Sequence, residues 1–222
     1  LPTEAPIGAV IVPVTPFQQN CSLIWCAKTM RGAVVDPGGE IERVIEVASL
    51  RGVTIEKILV THGHMDHAGA VADLAARLEV PVEGPQEEDS FWIDRLGQHG
   101  REYGMDYCRP FAPDRWLVDG DVVTVGEQEF DVRHCPGHTP GHVVFHHEAA
   151  KLAWVGDVLF QGSIGRTDFP RGDHATLIAS IRDRLWPMGD DVRFVPGHGP
   201  ISTFSAERQS NPFVADRVLN RQ

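Results

Sequence analysis

The 222-residue chain is predicted to be an α/β protein, with layers of sheet and helix around a common core. Three observations support this. Short runs rich in Val and Ile alternate with single amphipathic segments. No internal repeat, low-complexity tract or linker interrupts them, so residues 1–222 read as one domain. Finally, 42% hydrophobic and 23% charged residues is ordinary globular composition, and a chain this long buries a core without staples.

The elements follow in order. "AVIVPV" (9–14), "SLIWCA" (22–27) and "AVVD" (33–36) read as strands, and "DPGGE" marks the turn after them. In "EIERVIEVASL" the residues Ile41, Val44, Ile45 and Ala48 fall at i, i+3, i+4 and i+7, the spacing of an amphipathic helix. "IEKILV" (55–60) is a strand and "AGAVADLAARLE" (68–79) a helix. Residues 84–113 are polar with weak periodicity; one helix is expected around Phe91. "DVVTV" (121–125) and "QEFDVRHC" (128–135) are strands joined by a tight turn at Gly126-Glu127, and "HVVFHH" (142–147) with "KLAWVG" (151–156) reads as a hairpin. "HATLIASIRDRLW" (174–186) is helical, with Leu177, Ile178, Ile181 and Leu185 on one face. "VRFVPGHGP" is a last strand and turn, followed from about residue 203 by a short polar tail.

Charge and composition narrow the function. A net charge of -11 with no run of Lys or Arg disfavours nucleic acid. No stretch approaches 18 apolar residues, so no membrane span is expected. The opening "LPTEAPIGAVIVPV" has no basic n-region and is broken by prolines, unlike a signal peptide. Cys21, Cys26, Cys108 and Cys135 form no C-x-x-C pair and do not suggest a disulfide scaffold. A cytoplasmic protein is the expectation.

The chemistry is concentrated at strand ends. "THGHMDH" (61–67) carries His62, His64, Asp66 and His67; "CPGHTPGH" carries His138, "VGDVLF" Asp157 and "VPGHGP" His198. Alone, a histidine at a strand end is more often structural, "PGHGP" is a turn, and Asp157 is equally a helix N-cap. Together they are seven donors, five imidazoles and two carboxylates, which exceeds the roughly three protein ligands of a catalytic zinc. The number suits two metals sharing Asp157 and held roughly 3.5–4 Å apart. Of the other histidines, His99, His146, His147 and His174 are expected in loops or on exposed strand faces, and His134 beside a strand end. His142, four residues past His138, would hold a loop or a ligand in place. Rival chemistries lack their motifs. "QGSIG" has Gln161 where a nucleophile elbow needs Gly, no phosphate-binding glycine loop is present, and Cys135 reads as a small core residue.

The ordered set "THGHMDH", "PGHTPGH", "GD" and "PGHGP" resembles the metallo-β-lactamase superfamily. The resemblance implies a four-layer αβ/βα sandwich: two mixed sheets with helices on the outer faces and the metals at one sheet edge. It implies that His62, His64 and His138 hold one ion, that Asp66, His67 and His198 hold the other, and that Asp157 bridges. Asp36 in "VDPGG" would support the ligands from behind. Within the superfamily, "QNCSLIWC", "GRTDFPRGD" and "VPGHGP" resemble the short bacterial type II glyoxalases, hydroxyacylglutathione hydrolases without the long form's C-terminal helical domain. This implies a metal-dependent thioester hydrolase converting S-D-lactoylglutathione to D-lactate and glutathione. A metal-bridging hydroxide would attack the carbonyl, with Asp66 orienting it and taking its proton. Two divalent ions are implied, zinc foremost, with iron or manganese suited to the same donors. "GSIGRTDF" departs from the long form, placing Arg166 near its Lys and Asp168 near its Tyr. Arg166 is the candidate substrate-binding residue, with Arg171 nearby; an ion pair to Asp168 is the alternative. Two other readings stand. Iron persulfide dioxygenases of this fold share the G-R-T-D-F segment and use a mononuclear site that His62, His138 and Asp157 could supply. A non-catalytic metal-binding module would need a coordinatively closed site.

Overall fold

In the computed structural model, which describes residues 5–220, the apolar runs become two sheets packed face to face. The first contains β1 (Ile7–Val14), β2 (Gln19–Cys26), β3 (Arg31–Val35), β4 (Thr54–Leu59) and β5 (Val82–Glu83), in that order. β1–β3 pair antiparallel, while β3–β4 and β4–β5 are parallel. The second sheet contains β6 (Val122–Val125), β7 (Gln128–His134), β8 (Val143–His147) and β9 (Leu152–Gly156). After a small hairpin of β10 (Leu159–Phe160) and β11 (Ser163–Ile164), β12 (Arg193–Pro196) and β13 (Ser202–Thr203) complete it in the order β13-β12-β9-β8-β7-β6. Only β12–β9 is parallel there.

The central layer is where the sheets meet. Ile24, Val35 and Leu59 of the first sheet pack on Phe130, Phe145 and Trp154 of the second. β6 shows the two-residue period directly, with Val123 and Val125 buried and Val122 and Thr124 outward. Each large apolar side chain buried here contributes about 1.5–3 kcal/mol.

Helices cover the outer faces. α1 (Ile41–Arg51), α2 (Met65–Ala68), α3 (Val71–Leu78), α4 (Ser90–Ile93) and α5 (Leu96–Glu102) lie on the first sheet, burying Val44, Val71, Leu74, Ile93 and Leu96. α6 (His174–Ser180), continued by a wider π-type turn over Ile181–Leu185, and α7 (Phe204–Ser210) cover the second, with Leu177, Ile181, Leu185 and Phe204 inward. A last short helix, α8, spans Asp216–Leu219. Helix, sheet, sheet, helix is the four-layer α/β arrangement expected. No helix among the described residues is long and apolar enough to cross a membrane.

Three sequence expectations need correction. The polar tail from residue 203 is built into the second core. Thr203 caps α7 by accepting the Ala206 N–H at 3.1 Å, Phe204 stacks on Phe194 at 5.5 Å, and Val214 and Ala215 are buried. Its apolar residues are too widely spaced to show as a run. His146 and His147 are buried rather than exposed, because β8 lies inside the sheet and is covered on both faces. His147 is satisfied there, its Nε2 bonding Gln128 Oε1 at 3.1 Å and its Nδ1 accepting the Ala150 N–H at 3.0 Å. The helix expected over 68–79 is two helices, and the first begins at Met65, so it takes in Asp66 and His67.

Candidate metal centre

Four strands end at one edge of the sandwich, and each delivers donors. β4 runs into His62 and His64, then α2 with Asp66 and His67; β7 leads to His138, β9 to Asp157 and β12 to His198. Sharp turns let the side chains converge. A Cβ on Gly197 would collide with Asp157 Oδ1 and approach His67 Cε1 to 2.5 Å, so this turn carries glycine for lack of room.

Two triads form. His62, His64 and His138 bring ring nitrogens together, with His138 Nε2 at 3.0 Å from His64 Nδ1. Asp66, His67 and His198 form the other, with His198 Nε2 at 3.1 Å from Asp66 Oδ2 and 3.4 Å from His67 Nε2. Asp157 lies between them: Oδ1 is 3.3 Å from His67 Nε2, and Oδ2 is 3.5 Å from His138 Nε2 and 3.7 Å from His198 Nε2. All seven donors named from the sequence are thus brought together.

The far side of each ring decides which nitrogen faces inward. His138 Nδ1 donates to the Arg166 carbonyl at 2.8 Å, and His198 Nδ1 approaches the Phe17 carbonyl at 3.2 Å. His67 Nδ1 donates to Asp36 Oδ2 at 2.9 Å. Asp36 also accepts from the Thr61 N–H at 2.7 Å and the Thr61 hydroxyl at 2.6 Å, which leaves Thr61 Oγ1 free to accept His62 Nδ1–H at 3.0 Å. In all four rings Nδ1 is thereby committed and Nε2 is turned toward the centre. Such support fixes tautomer and orientation, as partners behind metal ligands do.

The electrostatics suit cations. Burial, reinforced by neighbouring imidazoles, lowers His62 and His64 well below the usual histidine range, and burial lowers His138 too. These rings are neutral at pH 7. His67 is raised well above its usual value because Asp157 and Asp66 outweigh its burial; in His198, the Asp66 bond and Asp157 outweigh burial likewise. Both carboxylates are held below their usual range, burial being overcome chiefly by His67. His62 Nε2 is buried with no hydrogen-bond partner, and His138 Nε2 faces His64 Nδ1 at 3.0 Å. Neutral lone pairs converging on one point, beside two ionised carboxylates, fit divalent cations.

The site includes residues that the sequence reading passed over. Asp89, from the segment 84–113, is fully buried and joins the two histidine loops. It accepts the Gly63 N–H at 2.8 Å, the Thr139 hydroxyl at 2.8 Å and the Gly141 N–H at 2.6 Å. Burial pushes its carboxyl up to about 6 despite these donors. In the sequence it stands in the acidic run "QEEDS", which reads as a solvated surface. His142, which the sequence singles out by its spacing from His138, stacks on His62 at 4.7 Å and accepts the Asp157 N–H at 3.0 Å, so it holds a ligand loop. Trp92, at 4.5 Å from His64, and Phe169, at 5.1 Å, form an apolar wall beside the first triad.

Above the donors opens a cavity of about 970 Å³, with Phe17, Phe91, Tyr103 and Phe160 also on its walls. Arg166 reaches it, but its guanidinium is engaged by Asp168 at 2.8 and 2.7 Å, so the structure places it in the ion pair that was the alternative. Arg171 lies 3.3 Å from Glu88.

The metallo-β-lactamase superfamily model matches residues 14–198. Hydroxyacylglutathione hydrolase GloC of Haemophilus influenzae is 45% identical over 205 residues, covering 92% of this chain and 96% of that protein. Among solved structures, TTHA1623 in a di-iron-bound form superposes with a TM-score of 0.84 at 36% identity, covering 92% of this chain and 100% of that one. The BLEG-1 B3 metallo-β-lactamase gives 0.86 at 33% identity, covering 93% and 99%. Fold, donor set and relatives agree: the chain belongs to the metallo-β-lactamase superfamily and is a metal-dependent hydrolase.

Proposed function

We propose that the chain is a cytoplasmic, binuclear thioester hydrolase that converts S-D-lactoylglutathione to D-lactate and glutathione. The observation that carries this is the complete second triad. Asp66, His67 and His198 lie within 3.1–3.4 Å of one another along Asp66–His198–His67, and Asp157 touches both triads. A mononuclear site would leave those three donors turned toward the centre with no ion of their own to hold. The similarity to GloC, named as a hydroxyacylglutathione hydrolase, supports the choice of a glutathione thioester.

Two divalent ions, zinc foremost and iron or manganese as alternatives, would be held by the two triads with Asp157 between; they supply a water ionised near neutral pH and a Lewis acid for the thioester oxygen. The chain's own groups do the rest. Trp92 and Phe169 exclude bulk water beside His64, which strengthens every charge interaction within. Asp66 is ionised and aimed into the cavity, so its carboxylate orients the attacking water and takes its proton. The Arg166 carbonyl, Asp36 and Thr61 keep the rings from turning while charge builds. The departing thiolate is a good leaving group and needs no acid.

The test is metal counting followed by steady-state turnover of S-D-lactoylglutathione. About two ions per chain with metal-dependent thioester loss is the expected result. One iron per chain with oxygen uptake on glutathione persulfide would instead establish a dioxygenase. Stoichiometric metal with no turnover of any ester or thioester would establish a binding module.

A further inference from the structure

The cavity is much larger than a lactoyl group needs. At about 970 Å³ it lies at the upper end of small-molecule sites, so most of it serves the thiol carrier. In a chain of net charge -11, an anionic carrier needs local cations. Among the described residues, two arginines and no lysine line the cavity, Arg95 and Arg166. Arg166 is answered by Asp168. Among the described residues, Arg95 has neither an acid nor a hydrogen-bond acceptor on its guanidinium. Glu102 on the same wall accepts instead from Gln98 Nε2 at 3.0 Å.

Arg95 is nonetheless positioned. Its guanidinium carbon lies 3.7 Å from the centroid of the Phe91 ring, a stacking contact that restrains the side chain while leaving its N–H edge free. Its backbone N–H bonds the Trp92 carbonyl at 3.0 Å, placing it one turn beyond the indole that touches His64. A thioester with its carbonyl at the triads would send its carrier along this wall.

We propose that Arg95 anchors a carboxylate of the thiol carrier and so makes the enzyme selective for small, carboxylate-bearing thiols; this rests on the thioester-hydrolase reading above. A planar guanidinium with a free edge takes a carboxylate in two parallel hydrogen bonds. Coenzyme A fits less well. Its several phosphates would enter an acidic protein whose cavity, among the described residues, offers one uncommitted arginine to meet them.

Two measurements test this. The first compares S-D-lactoylglutathione, the lactoyl thioester of N-acetylcysteamine, which has no carboxylate, and lactoyl-coenzyme A, in wild type and Arg95→Ala. The ratio of kcat/KM for the glutathione over the N-acetylcysteamine thioester should fall about 10- to 100-fold, the scale of a charge-assisted contact, and KM should carry the loss. Arg95→Lys should restore part of it. Equal losses on both thioesters, or an unchanged ratio, would overturn the assignment. So would a wild-type preference for lactoyl-coenzyme A, which would make the anchored group a phosphate. The second is calorimetric binding of S-hexylglutathione to the metal-loaded protein, which decides the matter even if no thioester is turned over. Wild type should bind about 10-fold or more tightly than Arg95→Ala. Equal affinities, or no binding to wild type, would overturn it.

Discussion

The two halves of the metal centre both rest on imidazoles, but under opposite electrostatics. In the half formed by His62, His64 and His138, burial and the neighbouring rings drive the imidazoles to the neutral form. In the half formed by Asp66, His67 and His198, burial opposes the cation too, but Asp157 and Asp66 outweigh it and raise the proton affinity of the rings. The first half therefore offers free lone pairs to an incoming ion. The second must release protons to receive one. Where the carboxylates lie, rather than how many imidazoles are present, sets how each half exchanges metal for protons.

The most severe way to break this difference is Asp157→Ala, because Asp157 touches both halves. It removes the shared ligand and the charge that holds protons on His67. Activity toward the thioester should fall about a hundred- to a thousandfold, the scale of losing a stabiliser aimed at developing charge. Metal counting should show both ions weakened, and one ion retained at full affinity would show that Asp157 belongs to a single half. Asp89→Ala should come next. It leaves the buried Gly63 and Gly141 N–H groups and the Thr139 hydroxyl without their acceptor. The cost should be on the order of 3 kcal/mol, since each unpaired buried group costs about 1–3 kcal/mol. Denaturant unfolding reads it directly. The lost metal should come mainly from the first half, whose loops Asp89 joins.

Asp89 also shows where sequence reasoning stops. His62, His64, Asp66, His67, His138, Asp157 and His198 were legible because strand ends and glycine turns mark them and because metal chemistry restricts the residue types. The strands were legible from Val and Ile runs, although β1 starts at Ile7 and β2 at Gln19, earlier than the apolar runs suggest. Asp89 gives no such sign: a buried carboxylate in an acidic stretch looks like its solvated neighbours, and only long-range packing distinguishes it. The same applies to Arg95, which looks like any charged helix residue until Asp168 is found to occupy Arg166. The final helices were missed because Phe204, Val214 and Ala215 are separated by polar residues and meet the core one at a time.

Asp36→Ala should sharpen the contrast more gently. Asp36 bonds His67 directly, but reaches His62 only through the Thr61 hydroxyl. Metal affinity in the second half should fall about 10- to 100-fold, the usual effect of removing a partner behind a ligand, with a smaller loss in the first. Competition with a chelating dye resolves the two. Equal losses would mean that the Thr61 relay holds His62 as firmly as the direct bond holds His67.

The smallest effect is graded with pH and follows from the sign of the shifts. His67 and His198 have raised values, so without metal protons hold their ring nitrogens to higher pH than in the first half, and an ion must displace them. Lowering the pH favours the protonated state, and affinity in the second half should fall by up to about tenfold per unit for each proton displaced. His62, His64 and His138 have lowered values, so proton competition in the first half begins only further into acid. Dialysis of the loaded protein across a descending pH series, with metal counted at each step, should show occupancy falling from two ions to one before the last is lost. Proton release on reloading at neutral pH should be larger for the ion that left first. A single step from two ions to none would mean that Asp157 couples the halves more tightly than their separate proton affinities divide them.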